Sequence, residues 1–155
     1  MLIKAFAIVS RSLPARLAIL GEGELREELE ALVAQLGIED KVWLPGFVEN
    51  PFAYMAGSDL VVMSSKGEGL PNVLIQALCT GTPVVSTRCP TGPVDLLENG
   101  RFGKLVDVGD ADVMAESIEH SLKTEGKDTG RQAHFLEKFD EDVISDQYLS
   151  AFYST

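Results

Sequence analysis

The sequence predicts an α/β domain: a parallel sheet with helices on both faces. Two observations carry this. Short apolar runs rich in β-branched residues alternate with segments of helical period along the 155 residues, the pattern of strands joined by crossover helices. Glycine or proline stands at most of the joints, where backbone must turn. A third observation supports a parallel sheet: "DLVVMSS" (59–65) is apolar enough for burial on both faces, as such strands require.

The elements follow in order. In "MLIKAFAIVSRSLPAR" the residues Leu2, Ile3, Phe6 and Val9 recur at helical spacing. Its apolar centre is too short for a secretory leader, so it reads as a helix of the domain. "ARLAILG" (15–21) is a strand ending in Gly21. "EGELREELEALVAQLG" places Leu25, Leu29, Leu32, Val33 and Leu36 on one helical face, with acidic residues at its start and Gly37 as C-cap. "KVWLPGF" (41–47) is a strand closed by Pro45-Gly46, and "NPFAYMAG" a short helix with Pro51 in its first turn. After strand 59–65 comes the helix "PNVLIQALCTG", from Pro71 to Gly81. Strand 83–87, the short helix "PVDLLENG" and strand 103–108 follow. A helix opens at Asp110 and runs to about Lys123. "TEGKDTG" is a polar turn, and two helices meeting at Phe139 and Asp140 complete the chain; Tyr148, Phe152 and Tyr153 lie at helical spacing there and read as packing residues.

Composition narrows the function. Hydrophobic residues make up 45% and charged residues 24%, which suits one folded domain rather than a disordered chain. A net charge of −11 without a cluster of Lys and Arg argues against nucleic-acid binding. Cys79 and Cys89 cannot form a disulfide framework and read as buried thiols of a reducing, cytoplasmic compartment. There is no CxxC, and His120 and His134 have no partners at metal-ligand spacing. No apolar run is long enough to span a bilayer.

The stretch with most chemistry is "SSKGEGLPN", at the carboxyl end of strand 59–65. Ligands of parallel sheets bind beyond such ends. The helix start at Leu70-Pro71-Asn72 offers unpaired N–H groups, and Gly69 allows close approach to backbone, a combination suited to a phosphate. The stretch is neither GxxxxGK[ST] nor GxGxxG. Glycines and proline can also simply punctuate a strand–helix turn.

"LIKAFAIVSRSLPARLAILGEGELREELEALV", "VWLPGFVENPFAYMAGSDLVVMSSKGEGLPNVLIQALCTGTPVVST" and "CPTGPVDLLENGRFGKLVDVGD" together resemble the C-terminal, nucleotide-sugar-binding half of retaining GT-B glycosyltransferases of the group 1 family. The resemblance covers nearly the whole chain and implies a Rossmann-like domain over 1–155. It implies a UDP-linked sugar donor, transfer to a glycan or lipid-linked acceptor, and no metal or cofactor, the pyrophosphate being held by positive and amide groups. In the family's E-x7-E pattern Glu68 takes the first position, orienting the donor sugar by charge and placement, and Gln76 the second, at the ribose. A carboxylate accepts from both vicinal hydroxyls whereas an amide offers one acceptor and one donor group, so Gln76 weakens that contact by about 1 kcal/mol; it can equally be an ordinary exposed helix residue. Asn72 shares its face. Gly21, Gly69 and Leu70 would supply backbone amides to the pyrophosphate, and Phe47 and Val48, after Gly46, would meet the base. Thr91-Gly92 reads first as a rigid turn.

The resemblance also implies a departure. The acceptor-binding N-terminal domain and the first strand of the donor domain, with its Arg and Lys, have no counterpart in the sequence. Lys66 and Arg88 do not obviously replace that pair. Without that central strand, the sheet is expected either to rearrange or to leave two unpaired edges beside strands 15–21 and 59–65. The expected partners are therefore a nucleotide sugar and either a second copy or a separate acceptor domain, with peripheral membrane association of a longer parent enzyme. Turnover by this chain alone is not expected. The alternative is a non-catalytic nucleotide-sugar-binding or interaction module completed by another chain.

Overall fold

Each of the five short apolar runs forms a strand, and helices connect them. The computed structural model describes residues 1–153. The order is α1 (Leu2–Ser12), β1 (Leu17–Leu20), α2 (Arg26–Gln35), β2 (Val42–Gly46), α3 (Pro51–Gly57), β3 (Val61–Met63), α4 (Asn72–Cys79), β4 (Val84–Thr87), α5 (Gly92–Leu96), a 3-10 turn (Glu98–Gly100), β5 (Lys104–Val106), α6 (Ala111–Thr124), α7 (Thr129–Lys138) and α8 (Glu141–Tyr153).

Helix starts are set by side chains that satisfy otherwise orphaned N–H groups. Asn50 Oδ1 accepts from the Ala53 N–H (3.2 Å) at α3, and Asp110 Oδ1 from the Val113 N–H (3.0 Å) at α6. At α7, Asp128 Oδ1 accepts from both Gly130 and Arg131. That cap shortens the expected polar turn: Gly130 lies inside the first turn of α7 rather than in a linker. Helix α2 begins later than its leucine period suggests. Leu25 is left outside it and exposed, while Arg26 ties the helix start to β2 by donating to the Leu44 carbonyl (2.9 Å) and to Glu22 and Glu30.

All pairings are parallel, but the strands form two ladders, β1–β2 and β3–β4–β5. The open-edged outcome is the one observed: among the described residues β1 and β3 are not hydrogen-bonded to each other, and each has one edge without a strand partner. Within the larger ladder side chains alternate between faces, as a strand requires. Val84 enters a core with Leu74, Leu78, Leu97 and Phe135, while Val85 enters another with Val9, Met114 and Ile118. Both valines are fully buried, each contributing about 1.5–3 kcal/mol. Beneath β1 and β2, Val33, Ile38 and Val42 form a third core with Ile3, Phe6 and Ala7. Helix α1 therefore serves two cores, Ala5 and Val9 facing one and Ile3, Phe6 and Ala7 the other.

Two expectations are corrected at side-chain level. Among the described residues helix α8 has no buried residue, and Tyr148, Phe152 and Tyr153 are exposed rather than part of a core; the main packing of α8 is against α7. Cys89 is buried, but Cys79, at the C-terminal end of α4, is only half-buried, with burial pushing its thiol upward. Among the described residues no helix is long and apolar enough to cross a membrane.

Candidate functional site

Glu68 lies where the segment after β3 runs beside the segment after β4. Its N–H donates to the Pro90 carbonyl (3.0 Å), and its carbonyl accepts from Thr91 (2.9 Å), a short parallel bridge that fixes the backbone. Ser65 Oγ donates to Glu68 Oε1 (2.7 Å), and Thr87 Oγ1 donates to the Ser65 carbonyl (2.6 Å). One carboxylate oxygen is thus anchored, while Oε2 takes no hydrogen bond from the described residues. Gly92 makes this closure possible. A Cβ there would collide with the Gly69 carbonyl and stand 2.7 Å from Pro71 Cδ.

Helix α4 starts immediately beyond. Its Leu74, Ala77 and Leu78 are buried, so Asn72 and Gln76, one turn apart, stand on the outer side; Asn72 is exposed and Gln76 half-buried. Asn72 N–H donates to the Leu70 carbonyl (3.0 Å). The Gly69 and Leu70 N–H groups find no acceptor among the described residues, and no acidic side chain occupies the first turn of α4. Two free amides and an uncompensated helix dipole form an electropositive edge beside an anchored carboxylate. Such an arrangement can hold an anion on one side and accept hydroxyl hydrogens on the other.

A second group lies at the end of the β1–β2 ladder. Gly21 (φ 105°) donates its N–H to the Gly46 carbonyl (2.8 Å), so that amide is consumed by the ladder. This corrects its expected role as an amide donor; what Gly21 offers is a turn without a side chain. Gly46 (φ 79°) cannot carry a Cβ without striking the Glu22 carboxylate. Beyond it Phe47 is 78% exposed and Val48 half-buried, so an apolar ring stands free at this end. The predicted residues therefore fall into two sets. Glu68, Gly69, Leu70, Asn72 and Gln76 gather after β3, and Gly21, Phe47 and Val48 gather after β1 and β2.

The positive residues contribute unequally. Arg88 lies 3.9 Å from Asp107, which offsets its charge, whereas Lys66 is exposed and forms no ion pair among the described residues. The Thr91 and Gly92 N–H groups are spent on the Glu68 carbonyl, consistent with a rigid turn. Among the described residues no three His, Cys, Asp or Glu gather as a metal-holding group. Ser65 and Thr87 are the residues the sequence reasoning missed. The only signal was a serine three positions before the glutamate at a strand end.

The family described as glycosyl transferases group 1 matches residues 1–124. The lipopolysaccharide core biosynthesis glycosyltransferase LpsE of Rhizobium meliloti is 37% identical over 136 residues, 84% of this chain but 39% of LpsE. An N-acetylgalactosaminyltransferase of Campylobacter jejuni acting on an undecaprenol-linked diphosphosugar is 39% identical over 123 residues, 79% of this chain and 33% of that protein. The chain thus spans well under half the length of these relatives. Among solved structures, Anabaena Alr3699/HepE in complex with UDP superposes with a TM-score of 0.84 at 28% identity, covering 99% of this chain and 44% of HepE. Staphylococcus aureus TarM (TM-score 0.87, 24% identity, 98% of this chain, 32% of TarM) shares the fold. The fold is the Rossmann-like half of a GT-B glycosyltransferase.

Proposed function

Because the chain belongs to the glycosyl transferases group 1 family, we propose that it is a donor-binding domain that holds a UDP-linked sugar for transfer to a glycan or lipid-linked acceptor. The observation that carries this reading is the pairing of a fixed carboxylate with free amides at the start of α4. Diphosphate charge would sit against the Gly69 and Leu70 amides, a placement that stabilises charge growing on the leaving group. Glu68 would accept from hydroxyls of the donor sugar through Oε2, orienting it without forming a covalent bond. Asn72 and Gln76 would line the ribose side, and Phe47 and Val48 the base. HepE has been solved with UDP and with UDP-glucose, which supports UDP as the nucleotide. Acceptor binding would fall to another domain, so this chain alone would hold donor without turning it over. A non-catalytic binding module is the second reading; Gln76, in place of a ribose-binding carboxylate, favours it.

The test is a calorimetric and NMR titration with UDP and a panel of UDP-sugars, alongside Gln76→Glu. Saturable binding with shifted amides over residues 69–72 is expected. The variant should bind more tightly, by about fivefold for a contact of order 1 kcal/mol. A folded chain that binds nothing at millimolar ligand would overturn the donor-site reading.

A further inference from the structure

In a parallel sheet each crossover helix starts at the carboxyl ends of the strands and returns to their amino ends. Two of these helices start at the candidate site: α3 follows Phe47 and Val48, and α4 follows Gly69 and Leu70. Their far ends meet on the opposite side of the sheet, at a clasp of polar groups. Thr82, fully buried just ahead of β4, donates its hydroxyl to the Met55 carbonyl in the last turn of α3 (2.9 Å). The Thr80 hydroxyl stands 2.9 Å from Thr82 Oγ1 and donates to the Ala77 carbonyl in the last turn of α4 (2.7 Å). Lys127, in the connector between α6 and α7, closes the clasp. Its ammonium donates to Thr82 Oγ1 (3.2 Å) and to the Ala56 carbonyl near the end of α3.

Lys127 belongs to an exposed stretch and forms no ion pair among the described residues, yet its nitrogen is turned onto these two oxygens. A cation there meets the negative end of the α3 dipole, and the buried Thr82 hydroxyl gains the partners that burial demands. Beside it the Asp128 N–H donates to the Gly81 carbonyl (3.0 Å), and Met55 shares a core with Leu74 and Leu78 of α4. At a rise of about 1.5 Å per residue, α3 and α4 are rods of about 10 Å and 12 Å. A shift of one against the other at the clasp is carried to their starts.

We propose, resting on the donor-site reading above, that Lys127 is a positioning residue. By holding the far ends of α3 and α4 together, it sets the spacing between the base-side residues Phe47 and Val48 and the diphosphate-side amides of Gly69 and Leu70. A ligand that bridges the two sides, as UDP would, depends on that spacing.

The experiment is calorimetric and NMR titration of the full chain with UDP, for wild type, Lys127→Met and Lys127→Arg. In the wild type, saturating UDP should shift the amides of both sets, 47–48 and 69–70. Lys127→Met should bind UDP about two- to thirtyfold more weakly, with one set shifting and the other left near its free position. Lys127→Arg, which keeps a cation and its donors, should retain wild-type affinity and both shifts. Thr82→Val, which removes the shared hydroxyl at nearly constant shape, should act as Lys127→Met does and reads the clasp if that variant does not fold. A folded Lys127→Met that binds UDP as tightly as wild type overturns the proposal. So does weaker binding in which both sets still shift together, or a loss that Lys127→Arg shares. A folded wild type that binds no UDP at millimolar ligand instead overturns the donor-site reading, and the role of Lys127 with it.

Discussion

A carboxylate with one oxygen bonded and the other bare is set to receive a hydroxyl, and at Glu68 the Ser65 hydroxyl decides which oxygen is which. Replacing Ser65 by alanine removes a hydrogen bond to a charged group, and we expect preference for UDP-sugar over UDP to fall on the order of tenfold. Affinity for UDP itself should hold, and Ser65→Thr should restore the preference; competition titrations read both. Glu68 and the start of α4 were legible because their chemistry is local, compressed into nine residues. Ser65 was not, because its place depends on Thr87, 22 residues away. Nor could the sequence show that the Gly21 amide is spent on Gly46, since strand register is a tertiary fact. Asp128 gives a pH-dependent prediction. N–H donation from Arg131 and Gly130, the former the larger effect, holds its carboxyl below the ordinary 3.8. Its folded value is lower than its unfolded value, so its stabilisation is full above about 3.8 and is lost as pH falls through the folded value. The difference in denaturation midpoint between wild type and Asp128→Ala should be constant near neutrality and shrink below that pH.

At the scale of elements, the segment leading into α4 and the start of α5 are pressed together at Gly92. Gly92→Ala should destabilise by about 1–3 kcal/mol through overpacking. It should also shift the amides of Glu68 and Gly69, visible in urea melts and in NMR spectra. Helix α7 is secured by Phe135, fully buried and edge-on to Phe102 with ring centroids 5.0 Å apart. Phe135→Ala should cost about 3–5 kcal/mol, read as a lowered midpoint of thermal unfolding. Element type was readable because strand runs were β-branched and helices had clear apolar spacing. Boundaries were less so, since Asp128 captures Gly130 into a helix and Arg26 holds the start of α2 from the β2 side. The exposure of α8 escaped the sequence for another reason: aromatic residues at helical spacing predict a helix, but spacing does not say what that helix meets.

For the whole molecule, the expected α/β architecture is present and the break in the sheet is its main consequence. Strands β3–β5 lie between two cores, whereas β1 and β2 are only partly buried and rest on one. Opening of the smaller ladder should therefore precede global unfolding, and native-state hydrogen exchange should show weaker protection at Leu17 and Trp43 than at Val85. The double duty of α1 also limits how this fold can be recombined. A chimera that imports the β1–α2–β2 segment from a relative through a crossover near Pro14 would set a foreign surface against Ile3, Phe6 and Ala7. Moving the crossover ahead of α1 would transfer the mismatch to Ala5 and Val9. Either junction leaves one face of α1 mated to the wrong parent, so α1 has to be redesigned as a two-sided adapter in any such graft.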